Sequence, residues 1–303
     1  MNDNTQKKIP LIIDTDVALG AWHEGRPRDI DDGFAIVEAL NVEAIDLLGI
    51  TTVYGNAPHE TVARIAHELV ALKQSKVPVH EGAITNEPGD AILPAVQFMA
   101  DCLKKQRLHI AAIGPLTNIA QLIQKFPEVL SNIESLVIVA GRTPGNRFYI
   151  DDVGPVRDFN FENDVPAMAQ LLTTNIPMVL AGFELTSQVE VTEQDLENIR
   201  SASNPTAEYF YQHSLDWVRY WTTTFPKNAG FHPWDSAAIN YLLHPERFRA
   251  EQRYARIDEL DDKPALSCSP SADPDWGTRV TYLSGFEGDG KAKFVRDVVT
   301  TVY

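Results

Sequence analysis

Pro10-Leu11-Ile12-Ile13-Asp14-Thr15-Asp16 is an apolar run of strand length that breaks into acids, and a loop later Asp31-Asp32 precede a helical pattern from Gly33 to Leu40. An apolar run without polar alternation fits a strand covered on both faces. Working outward, the same alternation recurs. Ala44 to Tyr54 reads as a second strand. Pro58 to Lys73 reads as a helix, with Val62, Ile65, Ala66, Leu69 and Val70 on one face. Leu108 to Ile113 reads as a third strand and Leu116 to Lys125 as the helix after it. Ser135 to Ala140 and Pro177 to Leu180 read as further buried strands, separated by a helix from Pro166 to Leu172. The pattern predicts an α/β fold, a mostly parallel open sheet with helices on both faces. Thr192 to Leu243 is mostly helical and aromatic-rich. The remainder reads as shorter strands with Gly-rich turns, such as Gly288 to Gly290, and Ser267 to Asp275 as an exposed loop. With no repeat or clear linker, residues 1–303 read as one domain with a small helical and β appendage.

Composition excludes several functions. The 303 residues are 44% hydrophobic and 22% charged, with a net charge of -16. Such a surface repels phosphate backbones and anionic lipid, so neither nucleic acid nor membrane is an expected partner. No stretch is long and apolar enough to span a bilayer or to form a signal-peptide core. Cys102 and Cys268 have no metal-like spacing and read as reduced thiols of a cytoplasmic protein.

The polar residues fall in a pattern. Ligands of open parallel sheets bind beyond the carboxyl ends of the strands. Asp14-Thr15-Asp16 and Asp31-Asp32 follow the first strand, Gly55-Asn56 the second, and Gly114-Pro115-Leu116-Thr117-Asn118 the third. A long loop after the fourth carries Asp151, Asp152, Asp158 and Asn160. Any one of these acids has an ordinary explanation as a helix cap, a turn residue or a partner of a helix N-terminus. Acids gathered at one sheet edge repel each other unless a cation sits among them, and oxygen-only ligands suit calcium or magnesium. Asp14-Thr15-Asp16-Val17 also resembles the nucleophile motif of haloacid-dehalogenase-type phosphatases. The later Lys and acidic pair of that chemistry are missing, and Gly288-Asp289-Gly290-Lys291 reads as a hairpin turn.

The sequence resembles the inosine–uridine nucleoside hydrolase family in five ordered blocks. They are Asp14-Thr15-Asp16, then after an insertion Asp29-Ile30-Asp31-Asp32-Gly33; Ile50 to Asn56; Gly114 to Ala120; Asp158-Phe159-Asn160 with Asp164; and Trp234-Asp235-Ser236-Ala237-Ala238. The resemblance covers about Ile9 to Leu243 and implies a Rossmann-like hydrolase core. It implies Ca2+ held by Asp16, Asp32, Asp235 and the carbonyl of Ile113. It implies Asp16 as the base that takes a proton from water. It places Asp31, Asn56, Asn160 and Asp235 on the ribose hydroxyls, Asp158 near the 5′-hydroxyl where the family usually has Glu, and Asp152 nearby. Asp14 would order the site. It further implies a homo-oligomer, a dimer or a tetramer.

The expected reaction is calcium-dependent hydrolysis of the N-glycosidic bond of a ribonucleoside to ribose and free base. Acids around the sugar stabilise its oxocarbenium-like transition state. Trp234 stands where many members place a His, and in one purine-preferring branch a Trp there stacks on the base, so a purine leaning is expected. Core packing is its ordinary role, and the same holds for Trp217, Tyr220, Trp221 and Phe225. The insertion from Val17 to Asp29 carries Trp22, His23, Arg26 and Arg28. His23 could donate a proton, and the arginines could meet an anionic or unusual substrate. A solvated loop or a subunit contact is the plainer role. A relative that binds a ribosyl ligand without efficient turnover is a further reading.

Overall fold

The computed structural model describes residues 8–271 and 273–303. Nine strands build one sheet: β1 (Ile9–Thr15), β2 (Ile45–Thr52), β3 (Val79–Glu81), β4 (Leu108–Ala112), β5 (Ile133–Val139), β6 (Met178–Ala181), β7 (Phe248–Leu260), β8 (Lys263–Ser269) and β9 (Thr278–Phe286). Their order is β8-β7-β9-β6-β5-β4-β1-β2-β3. From β9 to β3 neighbouring strands are parallel, and β7 and β8 are antiparallel to their neighbours.

The helices are α1 (Asp31–Asn41), α2 (His59–Leu72), α3 (Pro94–Leu103), α4 (Thr117–Lys125), α5 (Phe159–Asn163), α6 (Val165–Leu171), α7 (Phe183–Thr186), α8 (Glu193–Ser201), α9 (Pro205–Thr224), α10 (Ser236–Leu243) and α11 (Gly290–Thr300). Local chemistry starts several of them. The Thr192 hydroxyl accepts from Asp195 N–H while the Asp195 carboxylate accepts from Thr192 N–H, a reciprocal cap on α8. Asn204 accepts from Ala207 N–H at 2.9 Å ahead of Pro205, whose missing N–H costs nothing in a first turn.

Side chains alternate across β1, so its apolar run feeds two cores. Leu11 and Ile13 pack with Phe34 of α1, Ile65 of α2 and Phe210 of α9. Ile12 packs on the other face with Met99 of α3, Ile119 of α4 and Met168 of α6. Phe34 meets Phe210 edge-on, 4.9 Å between centroids at 79°. That geometry contributes roughly 0.5–1.5 kcal/mol beyond burial and ties α1 to α9. Strand order reverses at β1, with β2 on one side and β4 on the other. The crevice at that reversal is where sheets of this type place ligands.

Several expectations change. The C-terminal strands extend the main sheet, because β9 pairs in parallel with β6, and β7 is 13 residues long. Gly288-Asp289-Gly290 is a strand-to-helix turn leading into α11, not a hairpin. Gly288 takes φ +53°, and a Cβ on Gly290 would strike the Arg247 carbonyl. Of the expected loop from Ser267 to Asp275, the first three residues are buried in β8. Arg142 explains this: its N–H donates to the Leu266 carbonyl at 3.0 Å and its carbonyl accepts from Cys268 N–H at 2.7 Å. Ala272 in that stretch lies outside the described residues. Among the described residues no helix is long and apolar enough to cross a membrane.

Candidate functional site

Asp14, Thr15 and Asp16 close β1 and are fully buried. Asp14 sits behind the site. Its Oδ1 accepts from the Thr51 hydroxyl at 2.6 Å and from Asn118 Nδ2 at 2.8 Å. Burial pushes its carboxyl up to about 7. Held through Oδ1 by Thr51 and Asn118, Asp14 has the geometry of a group that orders the end of β1. Asn118 also accepts from Ala83 N–H and donates to the Thr52 carbonyl, so one amide clamps the ends of β1, β2 and β3.

Asp16 lies one step nearer the crevice. Its Oδ2 accepts from Asn56 N–H at 2.8 Å and its Oδ1 is buried without a partner. Gly55 and Gly114 permit this approach, since a Cβ on either would press on Asp16. Asp31 and Asp32 begin α1, whose Ile30 offers no side-chain cap, so both acids sit at the positive end of the helix. Thr15 donates its hydroxyl to Asp32 Oδ1, and Asp32 Oδ2 has no partner. Asp31 Oδ2 accepts from Asp235 N–H at 3.1 Å, which joins α1 to the start of α10. Oxygens of Asp29, Asp31 and Asp32 lie within 4.8 Å of one another.

These acids share one electrostatic problem. Burial raises the Asp16 and Asp235 carboxyls well above the ordinary range, and neighbouring aspartates raise them further. Asp29 is raised in the same way. Burial brings Asp31 to about 6 and Asp32 to about 7, although hydrogen bonds pull both down. Buried like charges cannot all ionise without a compensating positive charge. Asp16 Oδ1, Asp29 Oδ1 and Asp32 Oδ2 are buried without partners, and the donors are all oxygens. Such a cluster fits a hard divalent cation.

A cavity of about 420 Å³ opens beside the acids. Asp29, Asp31, Asn56, Asp158, Asn160, Trp234 and Asp235 line it, with Asp16, Asp32 and Ile113 beneath. Asn160 Nδ2 donates to the carbonyls of Ile113 at 3.1 Å and Val139 at 3.4 Å, which ties α5 to the ends of β4 and β5. Asp158 Oδ2 accepts from Gly141 N–H at 3.0 Å and lies 3.8 Å from Arg142. Burial outweighs that cation and leaves its carboxyl raised to about 6. Trp217, Tyr220, Trp221 and Phe225 of the α9 region do line the cavity, with Trp221 packed edge-on to Trp234 at 5.2 Å.

Besides the buried Asp16, Asp32 and Ile113, two more of the expected site residues, Asp152 and His23, do not line the cavity. Asp152 is exposed and pairs with Lys227, because Asp151 takes φ +56° and turns the loop outward. His23 stands in a hairpin of Trp22–His23 with Arg26–Pro27, half-buried and 3.9 Å from Glu24. From the same hairpin segment, Arg26 and Arg28 do line the cavity. Sequence reading left Asp29 out of the oxygen cluster and gave Thr15 and Asn118 no role. Their positions inside the matching blocks were the available signal.

Residues 11–283 match the family described as inosine-uridine preferring nucleoside hydrolase. The pyrimidine-specific ribonucleoside hydrolase RihA of Shewanella woodyi is 30% identical over 261 residues, 75% of this chain and 80% of that protein. A purine-preferring ribonucleoside hydrolase from Gardnerella vaginalis superposes with a TM-score of 0.81 at 21% identity, over 97% of this chain and 98% of that one. A plant nucleoside hydrolase superposes with a TM-score of 0.82 at 20% identity and the same coverage. At these identities the structural likeness concerns the fold.

Proposed function

The chain belongs to the inosine-uridine preferring nucleoside hydrolase family, and from that premise we propose a calcium-dependent ribonucleoside hydrolase with a purine leaning. Members of the family act on the N-glycosidic bonds of ribonucleosides. The observation that carries the reading is the group of buried Asp16, Asp31, Asp32 and Asp235 with half-buried Asp29, with unpartnered oxygens beside an aromatic-walled cavity.

Asp16, Asp32, Asp235 and the Ile113 carbonyl would hold the calcium, with Asp29 and Asp31 close by. When bound, the ion supplies Lewis acidity and neutralises the acids. Asp16, held through Oδ2 by Asn56 N–H, takes the proton of the attacking water on its other oxygen. Asp31, Asn56, Asn160 and Asp235 orient the ribose hydroxyls. Asp158 reaches the 5′ end, its direction set by Gly141 N–H and Arg142. The acids around the sugar favour the positive charge that develops as the bond to the base breaks.

The described preferences of relatives point both ways, pyrimidine in one and purine in another. The leaning is therefore read from this chain's own wall. Trp234 offers a broad stacking face backed by Trp221, in a cavity that also takes in Trp217 and Phe148. Both cysteines are free, in keeping with a reducing compartment such as the cytoplasm. A second reading, a ribosyl-ligand binder with little turnover, draws on one observation: His23 is not among the residues lining the cavity.

Release of free ribose from a nucleoside panel, with and without a calcium chelator, tests the proposal. Release that stops on chelation and returns with calcium is expected. Binding of nucleosides without release would favour the second reading.

A further inference from the structure

Arg142 stands behind the cavity wall. Its backbone is paired with β8, and the residue is 5% exposed. Gly141, Phe148, Asp158 and Phe183 line the cavity; Arg142 does not. Its Cζ lies 3.6 Å from the Phe148 ring centroid, and Phe148 stacks on Phe183 at 4.0 Å. The guanidinium has poor partners for so buried a charge. Nε is buried without one, and Nη2 is 3.8 Å from Asp158 Oδ2 and 4.0 Å from Glu162 Oε1. These distances allow attraction but exceed a hydrogen bond. A cation buried in this way depends on the field of nearby acids, and it acts on those acids in return.

Asp158 has opposing neighbours. Burial, Glu162 and Glu184 favour its neutral form. Against them stand Gly141 N–H, 3.0 Å from Oδ2, and Arg142, the one cation within 4.0 Å of Asp158 among the described residues. The adjacent Arg157 guanidinium is engaged with Glu162 and Asn163 instead. An ionised carboxylate only accepts, and its hydrogen bond from a hydroxyl is roughly twice as strong as a neutral one. The charge on Asp158 therefore decides how firmly it holds a hydroxyl.

We propose that Arg142 is a positioning residue that, without touching substrate, keeps Asp158 a charged acceptor for the 5′-hydroxyl of the ribose. The inference rests on the nucleoside hydrolase reading and deepens it: Gly141 N–H aims Asp158, and Arg142 sets its charge. A rival role is packing beneath Phe148 alone. That role would affect substrates with and without the hydroxyl alike.

A matched pair separates the two: the best-cleaved nucleoside of a panel and its 5′-deoxy analogue. The ratio of their kcat/KM values cancels whatever acts on both. Near pH 8 wild type should favour the hydroxyl by roughly ten- to a hundredfold, the worth of a hydrogen bond to a charged group. That preference should be lost as pH falls through about 6, where Asp158 takes a proton. Arg142→Met keeps a stem under Phe148 and removes the charge. It should move the pH at which the preference is lost upward by roughly one unit, and Arg142→Lys should hold it near the wild-type value. Should Arg142→Met not fold, Arg142→Gln carries the same arm. An unmoved midpoint, or no wild-type preference for the hydroxyl, would overturn the proposal and leave the hydrolase reading intact. If no nucleoside is cleaved, the hydrolase reading itself fails. Calorimetry with the same pair at pH 7 then judges Arg142: tighter binding of the 5′-hydroxyl member, weakened by Arg142→Met and kept by Arg142→Lys, supports it, and equal binding overturns it.

Discussion

The backbone N–H of Asn56 donates to Asp16 Oδ2 at 2.8 Å, which leaves Asp16 Oδ1 as a buried oxygen with no partner. The two residues follow neighbouring parallel strands, where Thr15 pairs with Thr52. One strand end thus aims the carboxylate of the other, and a proton acceptor is oriented before any substrate arrives.

Asp16→Asn keeps an oxygen for the Asn56 N–H and removes the basic one. Ribose release should fall by roughly a hundredfold or more, the usual worth of general-base catalysis, with the circular dichroism spectrum unchanged. Near-wild-type turnover in this variant would sink the mechanism.

Gly55→Ala drives a Cβ into Asp16 Oδ2. Overpacking of this kind costs about 1–3 kcal/mol. Lower stability in denaturant melts should come with a drop in kcat, because the displaced group is the oriented carboxylate. A variant that melts and turns over like wild type would show that the approach is not constrained.

Trp234→Ala should lower kcat/KM on inosine by roughly ten- to a hundredfold, through lost stacking and weaker protonation of the base. On a p-nitrophenyl riboside, whose leaving group needs no proton, the loss should be much smaller. Equal losses would refute base activation by Trp234.

Calcium should raise Tm, and the rise should depend on pH. Asp31 and Asp32 stand near 6 and 7 in the fold, above the ordinary 3.8. The folded chain therefore binds protons that the unfolded chain releases, and without cation its stability falls as pH rises from about 4 through 7. Calcium replaces those protons, so its stabilisation should be small near pH 5 and larger near pH 8. Thermal melts across that range check the sign, and a rise independent of pH would contradict it.

Glu38 offers a second pH effect, away from the cavity lining. Burial pushes its carboxyl from 4.5 to about 8, against the Asn240 Nδ2 that donates to it at 3.0 Å. The stability of the protonated form is full below 4.5 and is lost as pH rises toward 8, on the order of a few kcal/mol at about 1.4 per unit. Glu38→Gln keeps the acceptor and removes the titration. It should melt higher than wild type at alkaline pH and similarly near pH 5; a deficit at both would show that the acid itself is needed.

What could be read in advance follows local periodicity. The apolar run before Asp14 has to be a covered strand, and the pattern in the second helix has to show one face. The acids after β1 and the amide after β2 fall at strand ends wherever those strands end. Asp16, Asp31, Asp32, Asn56 and Asn160 were legible as polar groups near strand ends for that reason, whereas Asp235, ahead of α10, entered only through the family resemblance. The C-terminal strands were misjudged because an antiparallel extension and an appendage look alike along the chain.

Sequence by itself determined the parallel sheet, the acidic edge and the family, because each depends on residue order within single elements or blocks. Tertiary structure alone decided which loop side chains enter the cavity. The turn at Asp151 sends Asp152 outward to Lys227, while the hairpin at Trp22–Pro27 leaves His23 outside the lining and puts Arg26 there. Loop directions are set by packing against distant elements, here α9 against the hairpin, through Trp22 Nε1 donating to Asp216 and Arg26 over Tyr220. No local pattern encodes such contacts.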